Sequence, residues 1–135
     1  MADYKHKELT KAIIGCAMEV HTAMGAGFPE VVYQRSLAIE LRHAGINFDQ
    51  EIYLPLQYRG ESVGSRRADF LVEGVVLLEL KATTELTPLH QAQIINYLNA
   101  YRLEVGLLLN FGETKLRFRR FVKTHSLPEK PTPNS

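Results

Sequence analysis

Apolar residues recur at helical spacing in the first third of the chain. The first run predicts a helix over residues 8–23, because its apolar positions are Leu9, Ala12, Ile13, Cys16, Ala17 and Val20. Gly25 and Gly27 then interrupt the pattern, since two glycines in three residues destabilise a helix interior. Pro29 suits a first helical position, and a second apolar stripe predicts a helix over residues 29–44 through Tyr33, Leu37, Leu41 and Ala44.

The rest of the chain carries strand patterns around one further helix. Residues 50–59 alternate between apolar and polar, and Pro55 among them indicates an edge strand or a bulge. Thr87 as N-cap and Pro88 as first residue predict a helix over residues 88–102. Further strands are predicted over residues 67–72, 75–81, 105–110 and 115–122. The order α-α-β-β-β-α-β-β indicates an α/β fold with a mixed β-sheet flanked by helices.

Length and composition indicate a single globular unit. The chain has 135 residues, of which 45% are apolar and 23% charged, so a disordered or low-complexity protein is excluded. We expect one domain over residues 1–125 and a flexible C-terminal tail over residues 126–135, which contain three prolines. Sixteen Lys and Arg against fifteen Asp and Glu give a net charge of +1, so global charge does not indicate a nucleic-acid partner.

Cysteine content and hydropathy bear on the compartment. The single Cys16 excludes an intramolecular disulfide and a cysteine-based zinc site. No apolar run reaches the ~18 residues that a membrane span requires. The polar N-terminus lacks the apolar core of a signal peptide, and we therefore expect a cytoplasmic protein with no membrane partner.

The most informative polar residues interrupt the two strands on either side of the Glu73-Gly74 turn. Glu79 and Lys81 project from one face of an otherwise apolar strand, and Asp69 lies on the strand before it. Burying such charges unpaired costs several kcal/mol each, so they pair with one another or a cation and a substrate complete the site. A hairpin loop of three residues, rather than two, would place Asp69 opposite Glu79, with Gly74 in a left-handed conformation.

These groups together offer hard oxygen ligands. The carboxylates of Asp69 and Glu79 and the backbone carbonyl of Leu80 suit Mg²⁺ or Mn²⁺, which gather water and phosphate oxygens. Lys81 would orient a metal-bound water or stabilise the charged transition state. The alternative is a structural ion pair at the end of a strand, and the spacing alone leaves both open.

Three motifs in order carry a resemblance to known nucleases. Asp69 followed by Glu79-Leu80-Lys81 resembles the signature of the PD-(D/E)XK nuclease superfamily, although Ala68 stands where the name has proline. Gln93 and Tyr97 resemble the Gln-x-x-x-Tyr motif of the exonuclease branch. The segment that contains Gly27, Glu30 and Tyr33 is similar to the Gly-x-x-Glu-x-x-Tyr string of the GxxExxY protein family. The resemblance implies a restriction-endonuclease-like fold over roughly residues 8–123.

The resemblance also implies roles for individual residues. Asp69 and Glu79 become metal ligands, and Lys81 becomes the catalytic lysine. Glu30 corresponds to an acidic position that joins the metal site directly or through water, although a carboxylate favoured by the helix dipole is the alternative. Gln93 and Tyr97 share a helix face and would contact the nucleic-acid backbone or brace Lys81, unless they only pack helix on sheet.

Basic residues cluster in two places that suit phosphates. Arg66 and Arg67 precede Asp69, and alternation places Lys115, Arg117 and Arg119 on one face of the last strand. The alternative for the second cluster is an edge strand guarded by charge.

Together these features favour a metal-dependent nuclease that uses Mg²⁺ or Mn²⁺ and acts on nucleic acid, with DNA favoured over RNA. A non-catalytic nucleic-acid-binding or protein-interaction module that retains the nuclease fold is the alternative. A homodimer or a larger complex would supply further binding surface, and the sequence leaves this open.

Overall fold

Helices and strands follow one another in the predicted order. The computed structural model describes residues 6–125, and the predicted tail over residues 126–135 lies outside the described residues. In chain order the elements are α1 (Lys7–Met24), α2 (Glu30–His43), β1 (Phe48–Tyr58), β2 (Glu61–Val72), β3 (Val76–Lys81), α3 (Pro88–Tyr101), β4 (Val105–Asn110) and β5 (Arg117–Val122).

The strands form one mixed sheet in the order β1-β2-β3-β4-β5. β3 and β4 run parallel because α3 crosses over between them, and all other neighbours are antiparallel. Apolar residues of α1 and α2 pack on one face of the sheet, and Ile94, Tyr97 and Leu98 of α3 pack on the other. β3 is therefore covered on both sides, as its nearly continuous apolar sequence predicts.

The β1–β2 hairpin twists sharply at one position. Phe70 packs in the core under α1 and α2, whereas Ala68, two residues earlier, packs in the core under α3. Residues two apart on a regular strand share a face, so β2 changes face at Asp69. The β1–β2 ladder is interrupted there, and Glu51 of β1, which would pair with Asp69, has a positive φ of 54°.

Several strand boundaries differ from the prediction, and the starts of β2 and β5 differ where basic residues are concerned. β2 begins at Glu61 rather than at residue 67, because residues 61–65 pair with β1 through their backbones. Their exposed side chains show no apolar alternation, so the pattern does not predict this part of the strand. β5 begins at Arg117 rather than at residue 115, so Lys115 lies in the preceding turn. Pro55 does lie on an edge strand, and a register shift follows it at Leu56 and Gln57.

Within residues 6–125, no helix is both long enough and apolar enough to cross a bilayer.

Candidate active site

The turn between β2 and β3 sets the register of the site. Val72 pairs with Val76 and Phe70 with Leu78, so three residues form the loop. Gly74 has a φ of +71°, and the Val75 N–H donates to the Val72 carbonyl at 3.0 Å. The predicted three-residue turn with a left-handed glycine is confirmed, and the next residues along the two strands are Asp69 and Glu79.

Carboxylates replace the backbone ladder at this point. The Asp69 N–H donates to Glu79 Oε1 at 3.1 Å, and the Leu80 N–H donates to Asp69 Oδ2 at 2.8 Å. Each carboxylate thus accepts a strand amide that would otherwise donate to a backbone carbonyl. The two acidic groups converge where the two strands separate.

A backbone oxygen of β3 faces the same opening. The Lys81 carbonyl accepts from the Phe111 N–H at 2.8 Å, on the β4 side of the strand. Successive residues of a strand direct their backbone groups to opposite edges, and the N–H and C=O of one residue share an edge. Since the Leu80 N–H donates to Asp69, the Leu80 carbonyl is directed to the β2 side as well.

Helix α2 supplies two further polar residues. Gln34 Nε2 donates to Asp69 Oδ1 at 3.1 Å and fixes the orientation of this carboxylate. Glu30, the first residue of α2, lies close enough for its negative charge to raise the pKa of both Asp69 and Glu79. The sequence interpretation included Glu30 but missed Gln34, although its place one helical turn after Glu30 was a usable signal.

Burial and like charge dominate the electrostatics of the acidic pair. Asp69 is 9% exposed and Glu79 is 6% exposed. Burial raises the pKa of Asp69 to about 6, although the hydrogen bond from the Leu80 N–H lowers it. Burial and then the charge of Asp69 raise the pKa of Glu79 to about 8, and the positive charge of Lys81 opposes this shift without cancelling it. The site thus carries acidic groups that a cation would stabilise in their ionised form.

This donor set fits Mg²⁺ or Mn²⁺. Both prefer oxygen ligands, and Mg²⁺ is typically held by one or two carboxylates while water and substrate phosphates fill its other positions. Asp69, Glu79 and the Leu80 carbonyl provide such a partial shell. Within residues 6–125, no three His, Cys, Asp or Glu side chains come together as a metal-binding group, so Glu30 is not a third side-chain ligand in this arrangement.

On the opposite face of the sheet from α2, helix α3 borders the acidic pair. Tyr97 is 7% exposed, and its hydroxyl donates to the Arg67 carbonyl at 3.5 Å. Burial and then the charge of Glu79 raise the pKa of Tyr97. The Arg66 guanidinium lies 5.4 Å from the centre of the Tyr97 ring, while Gln93 is half-buried one turn earlier on the helix. Tyr97 therefore holds Arg66 beside the site and also belongs to the core.

Arg67 is engaged differently from its neighbour. Its guanidinium lies 3.5 Å from a carboxylate oxygen of Glu51, and a hydrogen bond with Tyr53 is the main cause of its raised pKa. Its charge also lowers the pKa of Asp69. Arg67 is thus anchored on β1, and Arg66 is the better placed of the two to meet a substrate.

Two arginines of β5 share rows of the sheet with the site. Glu79 pairs with Leu108, which pairs with Arg119, and Lys81 pairs with Asn110, which pairs with Arg117. Each arginine thus lies two strands, or about 10 Å, from the site residue in its row. They line a 320 Å³ cavity between the first turn of α3 and β5, together with Glu85, Leu86, Gln91, Glu113 and Phe118.

Lys115 lies outside both of these rows of the sheet. The expectation that it shares a strand face with Arg117 and Arg119 is wrong, because β5 starts two residues later. Lys115 instead lines a separate cavity with His21 and Thr22 of α1.

A buried amide holds the loops around the site together. Asn110 Oδ1 accepts from the Thr83 N–H at 3.0 Å and the Gly112 N–H at 3.1 Å, and Asn110 Nδ2 donates to the Thr83 carbonyl and to Glu113 Oε2. The contact is so close that a Cβ at Gly112 would lie 2.3 Å from the Thr83 carbonyl oxygen. Glu113 in turn holds the Arg117 Nε at 3.3 Å.

The segment that contains Gly27, Glu30 and Tyr33 determines how the chain enters α2. Gly27 has a φ of +107°, which only glycine adopts readily. The buried Tyr33 hydroxyl donates to the Gly25 carbonyl and accepts from the Phe28 N–H, and its ring stacks on Phe111 at 4.7 Å. These contacts fix the loop that precedes Glu30.

The chain is similar to known proteins in sequence and in fold. The family model of the PD-(D/E)XK nuclease superfamily matches residues 7–121. No curated protein matches the chain. The crystal structure of SSO0001 is similar with a TM-score of 0.55 and 17% identity over 70% of this chain, which spans half the length of that protein. This similarity confirms the predicted restriction-endonuclease-like fold, and the match to the family model shows that the chain belongs to the PD-(D/E)XK nuclease superfamily.

Proposed function

We propose that the protein is a metal-dependent nuclease that hydrolyses phosphodiester bonds of nucleic acid, with DNA as the favoured substrate. The observation that carries this proposal is the reciprocal pairing of Asp69 and Glu79 with strand amides. It brings two buried carboxylates together near Lys81, although the packing of the hydrophobic core does not require charged groups there. The superfamily membership supports hydrolysis at this position.

Each residue of the site has a chemical role in this proposal. Asp69, Glu79 and the Leu80 carbonyl would hold Mg²⁺ or Mn²⁺, which lowers the pKa of a bound water and offsets the charge of a phosphate. The Lys81 ammonium would orient the attacking water or stabilise the negative charge that develops on the phosphate. Gln34 keeps Asp69 oriented, and Glu30 would act on the site through water.

The nucleic acid is proposed to cross the α3 face of the sheet. Arg66 lies beside Tyr97 at the site, and Arg117 and Arg119 lie two strands away along the same rows. The cavity between α3 and β5 lies along this path, and its arginines suit successive phosphates of one strand. Gln93, on the α3 face that borders the site, would contact the backbone of the bound strand.

The finer family assignment is part of the proposal. The Gly27, Glu30 and Tyr33 segment builds the loop that delivers Glu30 to the site, which supports membership of the GxxExxY family. We also propose that residues 1–125 act as one catalytic domain.

A cleavage screen tests the proposal. Single- and double-stranded DNA and RNA oligonucleotides are incubated with the protein, with and without Mn²⁺, beside Lys81→Ala and the matched exposed control Lys11→Ala. We expect cleavage of at least one DNA form that requires Mn²⁺, survives in Lys11→Ala and is lost in Lys81→Ala. Intact oligonucleotides throughout would favour a non-catalytic binding module instead, and equal cleavage by Lys81→Ala would contradict catalysis at this site.

A further inference from the structure

A histidine in the first turn of α3 closes a reciprocal cap. The His90 N–H donates to Thr87 Oγ1 at 3.4 Å, and the Thr87 N–H donates to His90 Nδ1 at 3.1 Å. Both helix-terminal amides are thereby satisfied, as in the capping box that a Glu or Gln usually forms at this position. A histidine differs from those residues because its ring carries a second nitrogen.

The cap determines the protonation of the ring. A backbone amide can only donate, so Nδ1 must be unprotonated and the proton of the neutral ring must lie on Nε2. Within residues 6–125, Nε2 has no hydrogen-bond partner. His90 therefore presents a fixed and unused N–H donor.

His90 lies on the face of α3 that borders the candidate site. His90, Gln93 and Tyr97 are spaced three and four residues apart, so they share one face of α3, and Tyr97 on that face borders Glu79. Burial and the positive charge of Lys81 lower the pKa of His90, while Glu30 opposes the shift. The imidazole is thus within electrostatic reach of a site residue on β3 and of another on α2.

We propose that His90 is a catalytic residue that donates its Nε2–H to a non-bridging oxygen of the phosphodiester bound beside Lys81. This inference rests on the proposed nuclease function. A neutral donor suits this place, because it binds the phosphate without adding a second cation next to Lys81. The cap holds the ring in place before substrate binds, so little ordering is needed when the hydrogen bond forms.

Paired variants separate the cap from the donor. His90→Ala removes both, whereas Thr87→Ala weakens the cap and leaves the imidazole, so the two should lower thermal stability to a similar extent. We expect Mn²⁺-dependent cleavage of DNA by His90→Ala to fall about 10- to 100-fold, the contribution typical of one hydrogen-bond donor, with most activity retained in Thr87→Ala. Equal activities of the two folded variants would overturn the inference.

A spectroscopic measurement tests the contact without turnover. Long-range ¹H–¹⁵N correlation spectra of the Lys81→Ala protein with Mg²⁺ report the His90 ring, and the probe is a single-stranded DNA oligonucleotide. We expect an Nε2-protonated ring in the free protein, and on titration a shift of its Nε2 resonance. An unchanged His90 resonance while the Asp69 and Leu80 amides shift would overturn the role of His90 alone. Spectra that do not change anywhere, together with no cleavage by the wild-type protein, would contradict the nuclease function as well.

Discussion

The two halves of the central strand β3 differ in how their polar backbone groups are satisfied. Val76–Leu78 are apolar and pair with both β2 and β4. Glu79–Lys81 keep their pairing with β4, but on the β2 side two carboxylates take over from the backbone ladder. A sheet can thus place charged groups at its centre where one ladder opens, because the exposed amides then hold the acids in place.

This difference explains why one end of β3 serves stability and the other chemistry. Leu78 adds apolar contacts under α1 and α2, whereas Asp69 and Glu79 carry raised pKa values that burial imposes. Carboxylates so placed destabilise the metal-free fold in their ionised form. Substitutions in the two halves should therefore have opposite consequences.

The largest effect on stability is expected in the first half of the strand. Leu78→Ala removes a fully buried side chain and should lower the free energy of unfolding by about 2–5 kcal/mol. Leu89→Ala, at a position 66% exposed on α3, should change it by less than about 0.5 kcal/mol. Urea denaturation measures both, and comparable losses would show that β3 is not at the centre of the core.

Lys81 should affect catalysis without affecting metal affinity. Lys81→Ala is expected to reduce the rate of DNA cleavage about 10²- to 10³-fold, because it removes one charge-stabilising group. Mn²⁺ affinity should stay near that of the wild type, since the lysine is not a ligand. Cleavage of the DNA oligonucleotide by Lys81→Ala at the wild-type rate would contradict the catalytic role of this half of the strand.

Glu79 should make the metal-free protein less stable as pH rises. Its pKa is about 8 in the folded protein against 4.5 ordinarily, so the folded state binds more protons between these values. Stability is then fully present below about pH 4.5 and falls as pH rises to 8, by at most ~1.4 kcal/mol per pH unit for this group. Asp69, with a pKa of about 6, adds to the fall only at the lower end of this range.

Glu79→Gln tests this dependence. The amide still accepts a hydrogen bond but does not ionise, so the fall between pH 6 and 8 should disappear, while Glu19→Gln on the exposed surface of α1 should retain it. Thermal melts in EDTA across pH 5–8 provide the measurement. If the melting temperature of Glu79→Gln falls with pH as steeply as that of the wild type, burial of Glu79 is not the cause of the fall.

The smallest effect concerns the turn that aligns the two strands. Gly74→Ala should cost about 1 kcal/mol, because the residue has a φ of +71° although its surroundings leave space for a Cβ. Gly15→Ala in α1, with similar space and a helical backbone, should stabilise by about 0.5–1 kcal/mol. Effects of the same sign at both glycines would argue against a left-handed residue in the turn.

Much of the fold follows from patterns that burial imposes on the sequence. Element order and the burial of β3 were predicted because the spacing of apolar residues reflects them. The edge position of Pro55 was predicted because proline cannot donate a hydrogen bond within a sheet. The outer part of β2 was missed because residues 61–65 are held by backbone pairing alone and their exposed side chains are free to vary. Lys115 was misplaced for a related reason, since the alternation begins two residues before β5 does.

The site was predictable only in part. Asp69, Glu79 and Lys81 stood out as charges in an apolar context, and turn geometry decided whether they could meet. Gln34 and His90 were not identified as site residues, because polar residues on helices are common and only the tertiary contacts bring them to the pair. The change of face at Asp69 lies opposite Glu51, which has a positive φ although it is not a glycine, so no glycine marks this position in the sequence.

Titration calorimetry with Mn²⁺ on the wild type, Asp69→Asn and the exposed control Asp49→Asn tests the central claim most directly. The wild type and Asp49→Asn should bind Mn²⁺ with the same affinity, and Asp69→Asn should bind at least about tenfold more weakly, because it loses a charged ligand from a shell of few protein oxygens. Equal affinity in Asp69→Asn and the wild type would contradict a metal centre between β2 and β3.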